Sequence, residues 1–146
     1  MRPRKTILCV DDNEVVLSLR RMVLEAHGYR VQTAMSGSEA MMIFERERPY
    51  LVLADLIMPG MSGDDLAVRL KAIDADVPVV VYSAATKNAE TALNADAFLP
   101  KGTNPAEMLY QIKLLAARKR GPRKKDSVHR MAARSSAHAE ILRRSA

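Results

Sequence analysis

Residues 51–63 read LVLADLIMPGMSG, and this stretch decides the fold. It opens with a four-residue apolar run, 51–54, that is typical of a strand buried on both faces. Asp55 ends the run, and a loop containing methionine, proline and glycine leads to Ser62, a residue type that begins helices. A buried strand followed through a short loop by a helix is the repeating unit of an α/β fold with a parallel sheet.

The same alternation recurs along the chain. Apolar runs predict five strands, at 6–10, 31–34, 51–54, 77–82 and 97–99. Amphipathic or capped stretches predict five helices, at 13–27, 36–47, 62–73, 88–93 and 105–120. In the first helix we expect Arg20, Arg21 and Glu25 to face solvent, opposite a buried face formed by Val15, Val16, Leu19, Met22 and Val23. Parallel strands joined by right-handed helical crossovers form a doubly wound sheet with helices on both faces.

Polar residues follow four of the predicted strands. Asp11 and Asp12 come after the first, Asp55 after the third, Ser83 after the fourth and Lys101 after the fifth. In doubly wound sheets, ligands bind outside the carboxyl ends of the strands, so we expect these side chains to converge. Three neighbouring carboxylates repel one another unless cations lie among them. Lys101 offsets one charge, and Mg²⁺, which prefers oxygen ligands, would offset the others.

Each of these polar residues also has an ordinary structural explanation. Asp11 and Asp12 could cap a helix, Asp55 could form a turn, Ser83 could be a cap, and Lys101 could be a solvated surface charge. These explanations do not predict that all of them follow different strands of one sheet. The combination therefore favours a functional site over these separate structural explanations.

Composition and charge set the domain organisation. The chain has 146 residues, enough for one domain with its own core. Residues 1–116 hold 13 basic and 15 acidic residues, a net charge of −2. Residues 117–146 hold 10 basic and 2 acidic residues, a net charge of +8, so the positive charge of the chain belongs to the tail. The lone cysteine, Cys9, favours a reducing, cytoplasmic location, and no apolar run is long enough for a signal core or a membrane span.

Four motifs resemble the receiver domains of two-component response regulators. They are ILCVDDN at 7–13, LVLADLIMPGMSG at 51–63, VVVYSA at 79–84 and ADAFLPK at 95–101. The resemblance implies a receiver domain over residues 4–120 with the flavodoxin-like strand order 2-1-3-4-5 that is known for members of this family. Residues 121–146 remain as a basic C-terminal extension, flexible or partly helical.

The resemblance also implies a chemistry for the predicted site. Asp55 would accept a phosphoryl group from a phosphohistidine on a partner kinase or phosphotransfer protein. Lys101 and Ser83 would bind the oxygens of that group. Mg²⁺ would be held by four residues, one of them acting through water and one through its backbone carbonyl: Asp11, Asp12, Asp55 and Ile57. The protein would be a signalling receiver that catalyses only its own phosphorylation and dephosphorylation.

A switch is implied as well. Ser83 would move toward the phosphoryl group, the small Ala84 would leave room for it, and Phe98 would turn inward. Phe98 could equally be an ordinary core aromatic. The output would be a surface of the fourth helix, fifth strand and fifth helix that contacts an effector protein or a second copy of the chain. The family usually has proline with a cis bond after the lysine, whereas this chain has Gly102, which puts the position of Lys101 in doubt.

Two alternatives stay open. A haloacid-dehalogenase-like phosphatase also uses an aspartyl phosphate and Mg²⁺, but its nucleophile follows the first strand in an Asp-x-Asp motif, which the sequence Asp12-Asn13-Glu14 breaks here. A nucleic-acid-binding adaptor could act through the basic tail, although thirty residues without an aromatic are too few for a helix-turn-helix output domain. We expect neither a nucleic-acid nor a membrane partner.

Overall fold

The alternation of strands and helices is present in the computed structural model, which describes residues 4–84 and 91–117. The strands are β1 Thr6–Val10, β2 Arg30–Ala34, β3 Leu51–Asp55, β4 Val79–Ser83 and β5 Ala97–Pro100. The helices are α1 Glu14–Ala26, α2 Gly37–Glu47, α3 Gly63–Ile73 and α4 Pro105–Ala116. The predicted strands are confirmed to within two residues at each end.

The five strands form one parallel sheet in the order β2-β1-β3-β4-β5, which confirms the doubly wound fold and its strand order. The chain leaves β1 toward β2 on one side and returns to place β3 on the other side. The carboxyl ends of β1 and β3 are therefore neighbours at the point where the direction of winding changes. This is where a doubly wound sheet forms its ligand crevice.

Successive side chains of each strand enter two separate cores, as the two-residue period of a strand requires. On one face, Leu8 and Val10 of β1 pack in a cluster that includes residues of α2 and α3. On the other face, Ile7 and Cys9 pack in a cluster that includes residues of α1 and α4. Both faces of the sheet are covered, which explains why β3 and β4 are buried along their whole length.

The predicted buried face of α1 is correct only in part, because Val16 and Val23 are half-buried and Val23 packs against the core. Val15, Leu19 and Met22 are 67%, 56% and 67% exposed, whereas Leu17 and Leu24 are the buried residues of this helix. The reason is that Arg20 lies on the inner side, with its guanidinium carbon 4.5 Å from the centre of the Tyr82 ring. A long cationic side chain can cover an aromatic surface in place of an apolar residue, so the simple apolar pattern misplaces the helix face.

Some predictions fall beyond the described residues. The helix predicted over 88–93 begins in the gap at 85–90, and the basic extension from 121 onward lies wholly outside. The last predicted helix, 105–120, corresponds to α4 and ends at Ala116. None of the described helices has the length and apolar character needed to cross a bilayer.

Candidate functional site

Three carboxylates meet where β1 and β3 end. Because Val10 pairs with Ala54 in the parallel register, the next residues, Asp11 and Asp55, lie side by side. Asp11 and Asp55 are buried, whereas Asp12 is exposed. One carboxylate oxygen from each of the three aspartates lies within 4.8 Å of the others. Buried and exposed acids this close together form a strongly negative pocket that is open on the side of Asp12.

Lys101 reaches this pocket from the end of β5. Its Nζ lies 3.2 Å from Oδ2 of Asp55, and the backbone amide of Ile57 donates to Oδ1 at 3.1 Å. The amide of Lys101 donates to the carbonyl of Ser83 at 2.8 Å, which extends the β4–β5 ladder to the lysine. No cis peptide bond occurs among the described residues, so Lys101–Gly102 is trans. The lysine contacts Asp55 even though glycine stands where the family usually has proline.

Helix α3 begins directly against Asp55. Ser62 caps the helix and forms a capping box with Asp65, and the amide of Gly63 donates to the carbonyl of Leu56 at 2.9 Å. A Cβ on Gly63 would lie 2.5 Å from the carbonyl oxygen of Asp55, so only glycine permits this approach. The loop between Asp55 and α3 is thereby fixed at both of its ends.

The pKa of Asp55 is raised, chiefly because burial disfavours the charged form. The Ile57 amide and Lys101 lower this pKa, and the negative charge of Asp11 raises it again. Burial outweighs the two favourable contacts. Without a bound cation, ionisation of Asp55 is therefore less favourable in the folded than in the unfolded chain.

We expect the Asp55→Asn variant to be more stable than the wild type at neutral pH in the absence of metal. A carboxyl whose pKa is higher in the folded than in the unfolded state stabilises the fold at low pH, and this contribution is lost as the pH rises through the folded-state pKa. At pH 7 the wild type therefore carries an unfavourable charge that asparagine lacks. Urea denaturation in the presence of EDTA measures the difference in the free energy of unfolding.

A pH series supplies the control for this expectation. The advantage of the variant should shrink as the pH is lowered and Asp55 becomes protonated. Glu45→Gln, which removes an exposed acid from α2, should show no such advantage. An Asp55→Asn variant that is less stable than the wild type at pH 7 in EDTA would contradict this expectation. It would show that Lys101 stabilises the Asp55 charge by more than burial destabilises it.

Asp11 is held from two sides. Its Oδ1 accepts the backbone amide of Asn13 at 2.8 Å, and its Oδ2 accepts the hydroxyl of Tyr82 at 2.6 Å. The sequence patterns do not identify Tyr82 as a residue of the site. The available signal is its position in VVVYSA, where a polar aromatic interrupts an apolar strand one residue before Ser83.

The remaining predicted residues lie in β4 and β5 or within two residues of the ends of β3 and β4. Ser83 is the last residue of β4 and is buried, and Ala84 after it is exposed. Ile57 is 62% exposed, with its amide bonded to Asp55 as described above. Phe98 of β5 is half-buried and packs against the core on the α2 and α3 side of the sheet.

The donor set fits Mg²⁺. Carboxylates are hard oxygen ligands, and Mg²⁺ is usually bound through one or two of them while it keeps several waters. The cluster holds three carboxylates, and Lys101 supplies one positive charge beside Asp55. The exposed Asp12 leaves one side of the cluster accessible to a hydrated ion.

Comparison of the sequence with known proteins identifies a matching family and several relatives. Residues 7–113 match the family model of the response regulator receiver domain. The DNA-binding response regulator MtrA of Mycolicibacterium smegmatis is 33% identical over 114 residues, which cover 75% of this chain and 50% of MtrA. The probable transcriptional regulator ycf27 of Cyanophora paradoxa is 34% identical over 126 residues, 82% of this chain and 51% of that protein. The chain spans about half the length of the curated relatives it matches.

Solved structures agree in fold. The response regulator TrrA of Thermotoga maritima, in complex with Mg²⁺ and BeF, has a TM-score of 0.72 and 30% identity, covering 76% of this chain and 98% of TrrA. A putative response regulator from Chloroflexus aurantiacus has a TM-score of 0.75 and 27% identity, covering 80% of this chain and 100% of that one.

Proposed function

Since the chain belongs to the family of response regulator receiver domains, we propose that it accepts a phosphoryl group on the carboxylate of Asp55. The donor is a phosphohistidine on a partner kinase or phosphotransfer protein. The observation that carries this proposal is the contact of 3.2 Å between Lys101 and Asp55 inside a cluster of three carboxylates. An anionic nucleophile beside a fixed cation suits a reaction that brings a second anion to the same point.

Asp55 and the residues around it have separate roles in the phosphoryl transfer. A carboxylate oxygen of Asp55 attacks phosphorus while the bond from phosphorus to the histidine nitrogen breaks. Lys101 lies beside Asp55 and would bind one oxygen of the incoming group. Ser83, at the end of the adjacent strand, would bind another. Positioned charges of this kind supply most of the catalysis in phosphoryl transfer.

A divalent cation completes the site. Asp12 and Asp55, the backbone carbonyl of Ile57 and, through water, Asp11 would hold Mg²⁺. When bound, the ion neutralises charge on the phosphoryl oxygens and orients them. The acidic cluster supports this assignment.

Phosphorylation of Asp55 would change a surface of the protein that a partner recognises, and no metabolite would be produced. Ser83 would move toward the phosphoryl group, for which the small Ala84 leaves room, and Phe98 would turn inward. These movements would change the surface formed by the predicted fourth helix, β5 and α4, which is the predicted fifth helix. The output partner is an effector protein or a second copy of the chain. The half-buried position of Phe98 is compatible with a conformational change because it is not fully enclosed.

Beryllofluoride, a stable analogue of a phosphoryl group on a carboxylate, tests the proposal without a cognate kinase. We expect bound ¹⁹F resonances when the wild type, Mg²⁺ and beryllofluoride are mixed, and we expect none after EDTA is added. Asp55→Asn should abolish these resonances, whereas Glu45→Gln should retain them. The phosphatase alternative predicts instead that binding survives in Asp55→Asn, because its nucleophile follows the first strand.

A further inference from the structure

Tyr82 connects the acidic site with one of the two cores of the sheet. It lies on β4 immediately before Ser83, it is 1% exposed, and its side chain belongs to the core shared with α1 and α4. Its hydroxyl lies 2.6 Å from Oδ2 of Asp11 and 3.3 Å from the carbonyl oxygen of Val10. The shorter distance assigns the single phenolic proton to Asp11.

The phenol remains a donor under ordinary conditions. An ordinary phenol has a pKa of about 10 and therefore keeps its proton at neutral pH. A hydrogen bond from a neutral donor to a charged acceptor is short and strong, as the distance of 2.6 Å indicates.

Two cationic side chains lie close to the ring of Tyr82. The guanidinium carbon of Arg20 lies 4.5 Å from the ring centre, and Nζ of Lys101 lies 5.8 Å from it. Arg20 also contacts the sulfur of Met108 on α4. Tyr82 is thus fixed between α1, α4 and the lysine of the site, and its hydroxyl has little freedom to leave Asp11.

Both oxygens of Asp11 are therefore engaged by donors of the protein itself. The amide of Asn13 holds Oδ1, and Tyr82 holds Oδ2, so rotation of this carboxylate breaks two hydrogen bonds. A carboxylate held in this way can accept hydrogen bonds from the water of a hydrated ion more readily than it can turn to bind the ion directly. Residues that orient ligands of a metal usually contribute strongly to its affinity.

We propose that Tyr82 is a positioning residue of the cation site, whose hydroxyl holds the Asp11 carboxylate in the orientation that binds the water shell of Mg²⁺. The inference rests on the proposed function, because it requires that Mg²⁺ binds beside Asp11. Tyr82 does not touch the ion or the phosphoryl group and acts only through Asp11.

Calorimetric titration of the full chain with Mg²⁺ tests this role. We expect Tyr82→Phe to weaken Mg²⁺ binding by about tenfold or more, the usual effect of removing such a partner. Tyr110→Phe, which removes an exposed hydroxyl from α4, should leave the affinity unchanged. Circular dichroism in EDTA reports whether each variant is folded, so a loss of stability is measured separately from a loss of affinity.

A spectroscopic measurement keeps the proposal testable if Tyr82→Phe does not fold. The chain has four tyrosines and no tryptophan, so its near-ultraviolet spectrum is dominated by tyrosine. Replacing Tyr29, Tyr50 and Tyr110 with phenylalanine leaves Tyr82 as the only tyrosine. We expect Mg²⁺ to produce a tyrosine difference spectrum in this variant, because the ion changes the charge that its hydrogen-bond partner presents.

The outcomes separate this inference from the proposed function. A wild type that binds no Mg²⁺ contradicts the metal site of the proposed function itself. A wild type that binds Mg²⁺, together with a folded Tyr82→Phe variant of equal affinity, overturns only the role of Tyr82. A variant with Tyr82 as its only tyrosine that binds Mg²⁺ without any spectral change overturns that role as well.

Discussion

Replacing Asp55 with asparagine is expected to abolish phosphoryl labelling by acetyl phosphate, which donates to the acceptor carboxylate without a kinase. Asparagine has nearly the same shape but no anionic oxygen to attack phosphorus. It also removes one carboxylate from the cluster of Asp11, Asp12 and Asp55. Intact-protein mass spectrometry should show the added phosphoryl mass in the wild type and none above background in the variant.

Two controls make this expectation specific. EDTA should suppress labelling of the wild type, because the proposed chemistry requires a divalent cation. Glu45→Gln removes a negative charge from an exposed position on α2 and should label normally. Labelling of Asp55→Asn at the wild-type level would show that another residue is the phosphoryl acceptor. It would favour the phosphatase alternative, whose nucleophile follows the first strand.

The Lys101→Ala variant is expected to slow labelling by about 100- to 1,000-fold, the usual effect of removing one fixed donor that stabilises transition-state charge. Lys101 lies 3.2 Å from Asp55, whose side chain is almost fully buried, so bulk solvent replaces the lysine poorly. The rate of incorporation from acetyl phosphate at saturating Mg²⁺ measures the effect.

Lys113→Ala is the matched control for this substitution. It removes an exposed lysine from the last turn of α4. Its labelling rate should equal that of the wild type. Equal rates in Lys101→Ala and Lys113→Ala would show that Lys101 pairs with Asp55 only as a structural cation and takes no part in the transfer.

The fold and the meeting of the acids are predictable because they depend on local patterns. Apolar runs set the strands, and the parallel arrangement places the residues that follow β1 and β3 side by side. Asp11 and Asp55 therefore come together without any information on side-chain contacts. The pairing of Lys101 with Asp55 follows from the same geometry, since the backbone bond from Lys101 to Ser83 fixes the lysine next to the end of β4.

The predictions fail where a polar side chain takes the place of an apolar one. The charge of Arg20 predicts the solvent face of α1, yet its guanidinium lies over the ring of Tyr82. The apolar run around Tyr82 predicts only a strand, yet the hydroxyl of this residue holds Asp11. The Arg20 guanidinium and the Tyr82 ring stabilise each other, although they lie on different elements. A contact between elements that are distant in the sequence leaves no periodic pattern in it.

Glycine after the lysine has less effect on the site than the sequence suggests. Without the family's proline at position 102, the placement of Lys101 is open to doubt from the sequence. The peptide bond to Gly102 is trans, and Lys101 still contacts Asp55. The position of the lysine depends on the β5 backbone that precedes it rather than on the residue that follows.

Mapping the phosphoryl group to a residue tests the central claim most directly. Borohydride reduces an acyl phosphate to the corresponding alcohol, which marks the acceptor permanently for peptide sequencing by mass spectrometry. After labelling with acetyl phosphate and Mg²⁺, we expect the mark on Asp55 and on no other carboxylate. A mark on Asp11 or Asp12 instead, with Asp55 unmodified, would contradict the account.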